Sequence, residues 1–211
     1  MHPTKSALEP ILSTGALLII RTSDADSAYD IAKAAVAGGI RALEIPYAVP
    51  DTLRLVERLV TDFGADGVSV GVGTVIDEVS AYRAVESGAD ILVSPGFNQG
   101  MLDVANRYQV TSISGAMTPA EILRTAEAGA DIVKLFPAEF LGPAYLKSVR
   151  APLSQIPISP TGGVDANTVG EWISAGACCV GVASYICKAG DAAAITASSR
   201  TLLAAIEQAR G

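Results

Sequence analysis

The chain almost lacks histidine, because its 211 residues include only His2. A catalytic zinc site normally needs two or three histidines, and a Ser-His-Asp triad needs one. We therefore expect neither metal-dependent hydrolysis nor histidine-based acyl transfer. Basic clusters are absent as well, since 15 Lys and Arg stand against 22 Asp and Glu. This acidic balance argues against nucleic acid and anionic membranes as partners.

Cysteines and long apolar runs are also scarce. The cysteines are Cys178, Cys179 and Cys187, an odd number without a disulfide or metal spacing, so we expect reduced thiols and a cytoplasmic protein. The apolar stretch at 16–20 is too short for a membrane span and lacks the pattern of a cleaved signal. Apolar residues still form 50% of the chain, enough for one core, and we predict a single domain over residues 1–211.

What the sequence does contain is a regular alternation of short β-type runs and helical segments. This alternation predicts an α/β fold, a (β/α)8 TIM barrel whose bottom is closed by a short N-terminal helix at 7–12. An open doubly wound sheet with fewer strands is the alternative. Glycines at four helix–strand junctions predict left-handed helix ends. The predicted strands are 17–21, 42–45, 68–72, 91–93, 111–114, 132–136, 156–159 and 179–182, and the clearest helices are 27–37, 50–63, 78–86, 119–127 and 166–175.

Two ionisable residues lie inside apolar strands. Alternate residues of a barrel strand face the interior, so Ile132, Lys134 and Phe136 are expected to point inward. Glu44 lies in the second strand as Lys134 lies in the sixth, and side chains from even-numbered strands can share one interior layer. Desolvation favours the neutral, nucleophilic amine, and a neighbouring carboxylate can act as acid and base. The alternative is a buried ion pair without catalysis.

Small and hydroxyl-bearing residues follow the last two strands. Thr161-Gly162-Gly163 comes after the seventh strand and before a helix with two N-cap candidates, Asp165 and Asn167. Loops at this place in a barrel often bind phosphate through backbone N–H groups. Ser184 ends the eighth strand and adds a hydroxyl. The pattern predicts an anion site at the carboxyl ends of these strands.

Three more candidates lie where other strands end. Arg21 ends the first strand and could hold an anionic group, although a surface arginine is the alternative. Thr74 and the turn Ser94-Pro95-Gly96 follow the third and fourth strands, on the face of a barrel that carries active sites.

Several motifs, taken in order, resemble the KDPG/KHG aldolase family, the class I pyruvate lyases of the Entner–Doudoroff type. The resemblance covers about residues 12–186, nearly the whole chain. The motifs are Ala42-Leu43-Glu44-Ile45, Gly71-Val72-Gly73-Thr74-Val75, Ser94-Pro95-Gly96, Val133-Lys134-Leu135-Phe136-Pro137-Ala138-Glu139 and Pro160-Thr161-Gly162-Gly163-Val164.

The resemblance implies a (β/α)8 barrel, commonly a homotrimer, that works without a metal or organic cofactor. It implies that Lys134 forms a Schiff base and that Glu44 is the general acid/base. Thr74 and the two turns at 94–96 and 161–163 would shape the pyruvate and phosphate sites, with Ser184 contacting phosphate. The expected reaction splits 2-keto-3-deoxy-6-phosphogluconate (KDPG) or its galactonate epimer (KDPGal) into pyruvate and glyceraldehyde 3-phosphate.

One position departs from the family pattern. Ala48 stands where KDPG aldolases usually carry an arginine that helps to hold the substrate carboxylate. The Glu44-Ile45-Pro46 sequence resembles the KDPGal branch, whereas Thr161 resembles the KDPG branch. Arg21 is a candidate for the missing anion contact, to carboxylate or phosphate, so the resemblance leaves the substrate's C4 configuration open.

Three other functions are also compatible with the sequence. The first is an aldolase for 4-hydroxy-2-oxoglutarate (KHG), or a broad pyruvate aldolase of the same family. The second is a phosphate-binding barrel isomerase or epimerase, in which Lys134 and Glu44 transfer protons without a covalent adduct. The third is an inactive barrel that binds a phosphorylated ligand, because fold alone does not decide function.

Overall fold

The computed structural model describes residues 7–211, so His2 lies outside the described residues. Within this range eight parallel strands form one sheet in the order β7-β6-β5-β4-β3-β2-β1-β8. The strands are β1 (Ala16–Ile19), β2 (Ala42–Pro46), β3 (Ser69–Gly73), β4 (Ile91–Val93), β5 (Thr111–Ala116), β6 (Ile132–Leu135), β7 (Ile158–Pro160) and β8 (Val180–Val182).

Helices alternate with these strands. Two single 3-10 turns, Gly64–Asp66 and Ala138–Phe140, precede β3 and follow β6. The helices are α1 (Leu8–Thr14), α2 (Ala25–Ala37), α3 (Thr52–Phe63), α4 (Glu78–Glu86), α5 (Gln99–Tyr108), α6 (Pro119–Glu127), α7 (Gly142–Arg150), α8 (Val169–Ser174), α9 (Ser184–Cys187) and α10 (Ala192–Arg210).

The sheet curves into a nearly closed barrel. β1 pairs in parallel with β2 on one side and β8 on the other, and a single bridge between Thr161 and Gly181 joins the β7 end to β8. The predicted (β/α)8 barrel is therefore confirmed, and the open doubly wound sheet is wrong.

Two apolar clusters separate the inside of the barrel from its outside. Ile132 belongs to an inner cluster, whereas Val133 and Leu135 pack in the large outer cluster between strands and helices. This is the alternation predicted from the period of two in a strand. Ala7, just before α1, and Ile11, within it, join the inner cluster, so α1 closes the barrel bottom as predicted.

Local signals set most helix ends. The junction glycines Gly39, Gly88, Gly129 and Gly176 have φ angles of 104°, 86°, 90° and 99°, the left-handed values expected just past a helix. Thr118 begins α6 with a complete capping box. No helix among the described residues is long and apolar enough to span a membrane.

The predicted N-cap residues of α8 are wrong. The helix begins at Val169 and its N-cap position is Thr168, so neither Asp165 nor Asn167 is the cap residue. Asp165 Oδ1 accepts hydrogen bonds from the backbone N–H groups of Asn167, at 2.8 Å, and Thr168, at 2.9 Å. These bonds stabilise a turn before the helix and delay its start, since an Asp side chain competes for backbone donors.

Candidate active site

A cavity of 540 Å³ opens among the carboxyl ends of the strands. This is the end of a parallel barrel where loops from all strands converge. All ten residues predicted as site residues line the cavity, which places the two strand-borne groups and the strand-end candidates around one space. They are Arg21, Glu44, Thr74, Pro95, Lys134, Phe136, Thr161, Gly162, Gly163 and Ser184.

Lys134 and Glu44 meet inside the barrel. Lys134 lies in β6 and Glu44 in β2, and their Nζ and Oε2 atoms are 3.7 Å apart. Their side chains are only 9% and 2% exposed. Glu44 Oε2 has no hydrogen-bond partner among the described residues. The pair is therefore largely shielded from solvent, and Glu44 Oε2 is available to accept a proton.

Glycines make room for this pair. A Cβ atom built on Gly73 would collide with the Glu44 carboxylate, and one built on Gly115 would collide with the backbone carbonyl of Pro95. Gly115 is the β5 neighbour of Lys134 in the strand register. Strands β3 and β5 thus contribute space to the interior where β2 and β6 contribute functional groups.

Phe136 forms an apolar wall beside the amine. Its ring centroid is 5.5 Å from Lys134 Nζ, and 38% of the residue is exposed. The residue follows β6 directly, and its N–H donates to the Ala116 carbonyl at 3.1 Å. An aromatic face at this distance attracts a cation and excludes water from one side of it.

Thr74 lines the cavity and has an unusual backbone conformation. Its φ angle is 60°, a left-handed value that is rare for a β-branched residue. It follows β3 directly, and the next residue, Val75, donates its N–H to the Val93 carbonyl at 3.0 Å. Such strain persists only where the surrounding structure enforces it, and it concentrates at functional sites.

The anion-binding candidates lie on neighbouring strands. Thr161-Gly162-Gly163 follows β7, Ser184 follows β8 and Arg21 follows β1, and these three strands are adjacent in the barrel. Gly162 and Gly163 have φ angles of 109° and 71°, a conformation that favours glycine. Donor groups from three strands are therefore available at one end of the cavity.

Ala48 takes no part in this cavity. It is exposed in the loop between β2 and α3 and does not line the space. Among the described residues that line the cavity, Lys134 and Arg21 are the only cationic side chains.

Glu139 and Tyr185 also line the cavity, although the sequence did not identify them as site residues. Glu139 was visible only as the last letter of a motif, and it lies on a 3-10 turn whose side-chain directions no strand or helix period predicts. The backbone N–H of Ala138 donates to the Thr161 carbonyl at 2.9 Å, which fastens this turn to the glycine turn. Tyr185 carried no sequence signal.

Residues 7–211 contain no cluster of three or more His, Cys, Asp or Glu side chains that could hold a metal ion.

A family model described as "KDPG and KHG aldolase" matches residues 9–198. The 2-dehydro-3-deoxy-6-phosphogalactonate aldolase of Escherichia coli strain K12 is 30% identical over 182 residues, which span 86% of this chain and 88% of that protein. Both matches cover most of the chain.

Solved structures agree with these matches. The native KDPGal structure superposes with a TM-score of 0.87 at 28% identity, covering 92% of this chain and 95% of that one. A KDPG aldolase from Legionella pneumophila superposes with a TM-score of 0.80 at 25% identity, covering 92% and 97% of the two chains. That enzyme was solved with pyruvate captured as a covalent carbinolamine intermediate.

Proposed function

The chain belongs to the KDPG and KHG aldolase family and is a class I aldolase, and from this premise we propose that it cleaves a 2-keto-3-deoxy-6-phospho-sugar acid, KDPG or KDPGal, to pyruvate and glyceraldehyde 3-phosphate. The observation that carries the proposal is the buried contact of 3.7 Å between Lys134 Nζ and Glu44 Oε2 in the cavity at the carboxyl ends of the strands. An amine nucleophile beside a proton acceptor is the minimum that Schiff-base chemistry requires.

Lys134 starts the proposed reaction. Transfer of a proton to Glu44 leaves the amine neutral, and its Nζ attacks the C2 carbonyl of the substrate. Glu44 returns this proton to the carbinolamine hydroxyl, which leaves as water and gives an iminium ion. The iminium ion draws in the electron pair of the C3–C4 bond as that bond breaks. Glu44 takes the C4 hydroxyl proton, directly or through water, and returns a proton to the enamine. Hydrolysis then releases pyruvate and restores the lysine.

The distal phosphate is proposed to bind where β7, β8 and β1 end. The Thr161-Gly162-Gly163 turn and Ser184 supply neutral donors there, and Arg21 supplies the positive charge. Thr74, Pro95 and Phe136 are proposed to enclose the pyruvate half, because they line the cavity together with Lys134. Ala48 cannot supply the charge of the missing arginine, and Arg21 is the only arginine among the described residues that line the cavity.

Borohydride reduction in the presence of pyruvate tests the mechanism. We expect a stable adduct on Lys134, no adduct in Lys134→Met, and an aldolase rate lower by roughly three orders of magnitude or more in that variant. Glu44→Gln should still trap pyruvate while losing about 100-fold or more in turnover. Lys33→Met is the matched control, because Lys33 is exposed on α2. An unchanged rate in Lys134→Met would refute the mechanism, and an isomerase or epimerase would show no reducible adduct.

Pyruvate release measured separately with KDPG, KDPGal and KHG tests the substrate. The family model is described by both KDPG and KHG, so a KHG-cleaving or broad pyruvate aldolase is the second candidate. We expect KDPG or KDPGal to have the highest kcat/KM, because the candidate anion site lies at the distal end of the cavity. A higher kcat/KM for KHG would overturn the phosphorylated substrate while leaving the lysine chemistry intact.

We also propose that the enzyme acts without a metal or organic cofactor, as a homotrimer in the cytoplasm, in Entner–Doudoroff-type carbohydrate metabolism. The family resemblance supports this proposal, and the free cysteines support the compartment. Light scattering of the purified chain tests the trimer, and full activity after chelator treatment tests the independence from metal.

A further inference from the structure

Cys178 and Cys179 place two thiols at the foot of β8, and neither residue lines the cavity described above. Their Sγ atoms are 3.8 Å apart, within hydrogen-bonding distance for sulfur. Cys178 is partly exposed and Cys179 is fully buried. Both precede the first residue of β8, Val180, so movement of the two side chains does not require the strand to open.

The surroundings of Cys178 favour its thiolate. The hydrogen bond between the two thiols lowers the pKa of Cys178 against the opposing effect of burial, and the Arg150 guanidinium lowers it further. Arg150 reaches this place because it packs over Gly176, where its Nε lies 2.5 Å from the position of an added Cβ. The same hydrogen bond and burial raise the pKa of Cys179. Cys178 is thus the more reactive thiol, and Cys179 lies beside it as the less acidic partner.

Cys187 supplies an internal comparison. It is also partly exposed, and both thiols contact a backbone carbonyl oxygen. Cys187 Sγ lies 3.5 Å from the Ile19 oxygen, and Cys178 Sγ lies 3.3 Å from the Ile158 oxygen. Burial raises the pKa of Cys187 to about 11, so its thiol stays protonated near neutral pH. Reactivity with peroxides follows the thiolate fraction and the exposure of a cysteine, which separates Cys178 from Cys187.

We propose that Cys178 and Cys179 are a redox-modification site, which hydrogen peroxide converts to a vicinal disulfide. The Cys178 thiolate attacks one peroxide oxygen, giving a sulfenic acid and, with the thiol proton, one water. The Cys179 sulfur then attacks the sulfenic sulfur, forming the S–S bond and releasing a second water. Two thiols are oxidised and one peroxide is reduced, and a dithiol reductant reverses the step. The two sulfurs must approach to about 2.0 Å.

The test uses the whole chain in its Cys187→Ser form. Tryptic cleavage after Arg150 and Lys188 leaves all three cysteine positions in one peptide, 151–188, so the Cys187→Ser change leaves only the pair in it. After hydrogen peroxide we expect this peptide to lose two hydrogen atoms, to resist alkylation, and to recover both alkylation sites after dithiothreitol. Cys179→Ser should stop at a sulfenic acid that dimedone traps.

Two comparisons can overturn the proposal. In the unmodified chain, Cys178 should lose its thiol at least about tenfold faster than Cys187, and equal rates would contradict its activation. In Cys178→Ser, Cys179 should remain alkylatable after unfolding at the same peroxide dose, and its loss there would contradict the assigned order of attack. Disulfides between chains, or sulfinic acid without a link to Cys179, would also refute the site. Aldolase activity should be unchanged in Cys178→Ser, so this test is independent of the proposed substrate.

Discussion

Thr74 combines a strained backbone with a place in the cavity. Its φ angle of 60° is unfavourable for a β-branched residue by about 1–3 kcal/mol. Thr74 also lines the cavity, where we propose that it encloses the pyruvate half of the substrate. A functional role there would explain why this strained conformation is retained.

Replacing Thr74 with glycine should separate stability from activity. We expect Thr74→Gly to raise the free energy of unfolding by about 1 kcal/mol, because glycine adopts positive φ without strain. The same change should lower kcat/KM, since the hydroxyl is lost from the cavity. Urea unfolding and steady-state kinetics measure the two effects. Gln109→Gly is the control, because Gln109 has a φ of 58° outside the cavity and should gain stability without losing activity.

Glu139 brings a negative charge to the proposed phosphate end. A Cβ added to Gly163 would lie 3.6 Å from Glu139 Oε2 and 2.9 Å from its Cβ, so the side chain packs against the glycine turn. An ionised carboxylate accepts hydrogen bonds and repels a phosphate dianion. Its presence predicts weaker phosphate binding than the turn alone would allow.

Glu139→Gln should therefore lower KM for the phosphorylated substrate by about two- to tenfold, with a smaller change at high salt. Steady-state kinetics at two salt concentrations measure this. Glu127→Gln, on the last residue of α6 and outside the cavity, is the control. A higher KM in Glu139→Gln would show that the carboxylate positions the turn more than it repels the ligand.

Among the strands, β4 begins with a side-chain contact to its neighbour. Asp90 Oδ1 accepts a hydrogen bond from the Val70 N–H at 3.0 Å, and the Asp90 N–H donates to the Val70 carbonyl at 3.0 Å. Burial raises the pKa of Asp90 from 3.8 to about 6 despite these hydrogen bonds. The folded state therefore favours the protonated carboxyl. Its contribution to the free energy of unfolding is fully present below the pKa of Asp90 in the unfolded chain, and it is lost as the pH rises through about 6.

Asp90→Asn should remove that loss. The amide keeps the acceptor for Val70 and carries no charge, so the variant should be more stable than the original chain by on the order of 1–3 kcal/mol at about pH 8, and equal to it near pH 4. Urea unfolding at the two pH values measures the difference. Asp90→Ala, which lacks the acceptor, should be less stable than Asp90→Asn at both. A stability gain that did not depend on pH would contradict the burial argument.

Helix boundaries show how local competition shifts an element. The predicted helix at 50–63 begins two residues later, at Thr52, because Asp51 takes a left-handed φ of 53°. The predicted helix at 166–175 begins at Val169, after the turn held by Asp165. In both cases the helical period of the sequence extends to residues before the observed start of the helix, where the backbone does not yet have helical geometry.

The barrel as a whole depends on empty positions in its interior. Gly115 lies under the Pro95–Gly96 backbone, which places the turn after β4 on the inside of the barrel mouth. Arg210 completes the opposite end by donating to the Ser13 and Leu12 carbonyls at 2.8 and 2.9 Å, which ties α10 to α1.

Gly115→Ala should destabilise the barrel by about 1–3 kcal/mol, because the new methyl would meet backbone rather than a movable side chain. It should also reduce activity, since the displaced turn borders Lys134. Gly64→Ala is the control, as its added Cβ would meet only the Val60 side chain at 3.8 Å on a helical backbone. Thermal or urea unfolding of both variants measures the contrast, and equal stability would show that the turn can shift freely.

The sequence by itself determined the strand alternation, the inward direction of Lys134 and Glu44, and their shared layer. These follow from the period of two in a strand and from the parity of strands in a barrel, both of which can be read from the order of residues along the chain. The family resemblance depended on the same residues. Only the tertiary structure decided that Arg21 faces the cavity, that Ala48 does not, and that Glu139 packs on the glycine turn. Loop directions and the approach of Cys178 to Arg150 arise from contacts between distant segments, and no local period encodes them.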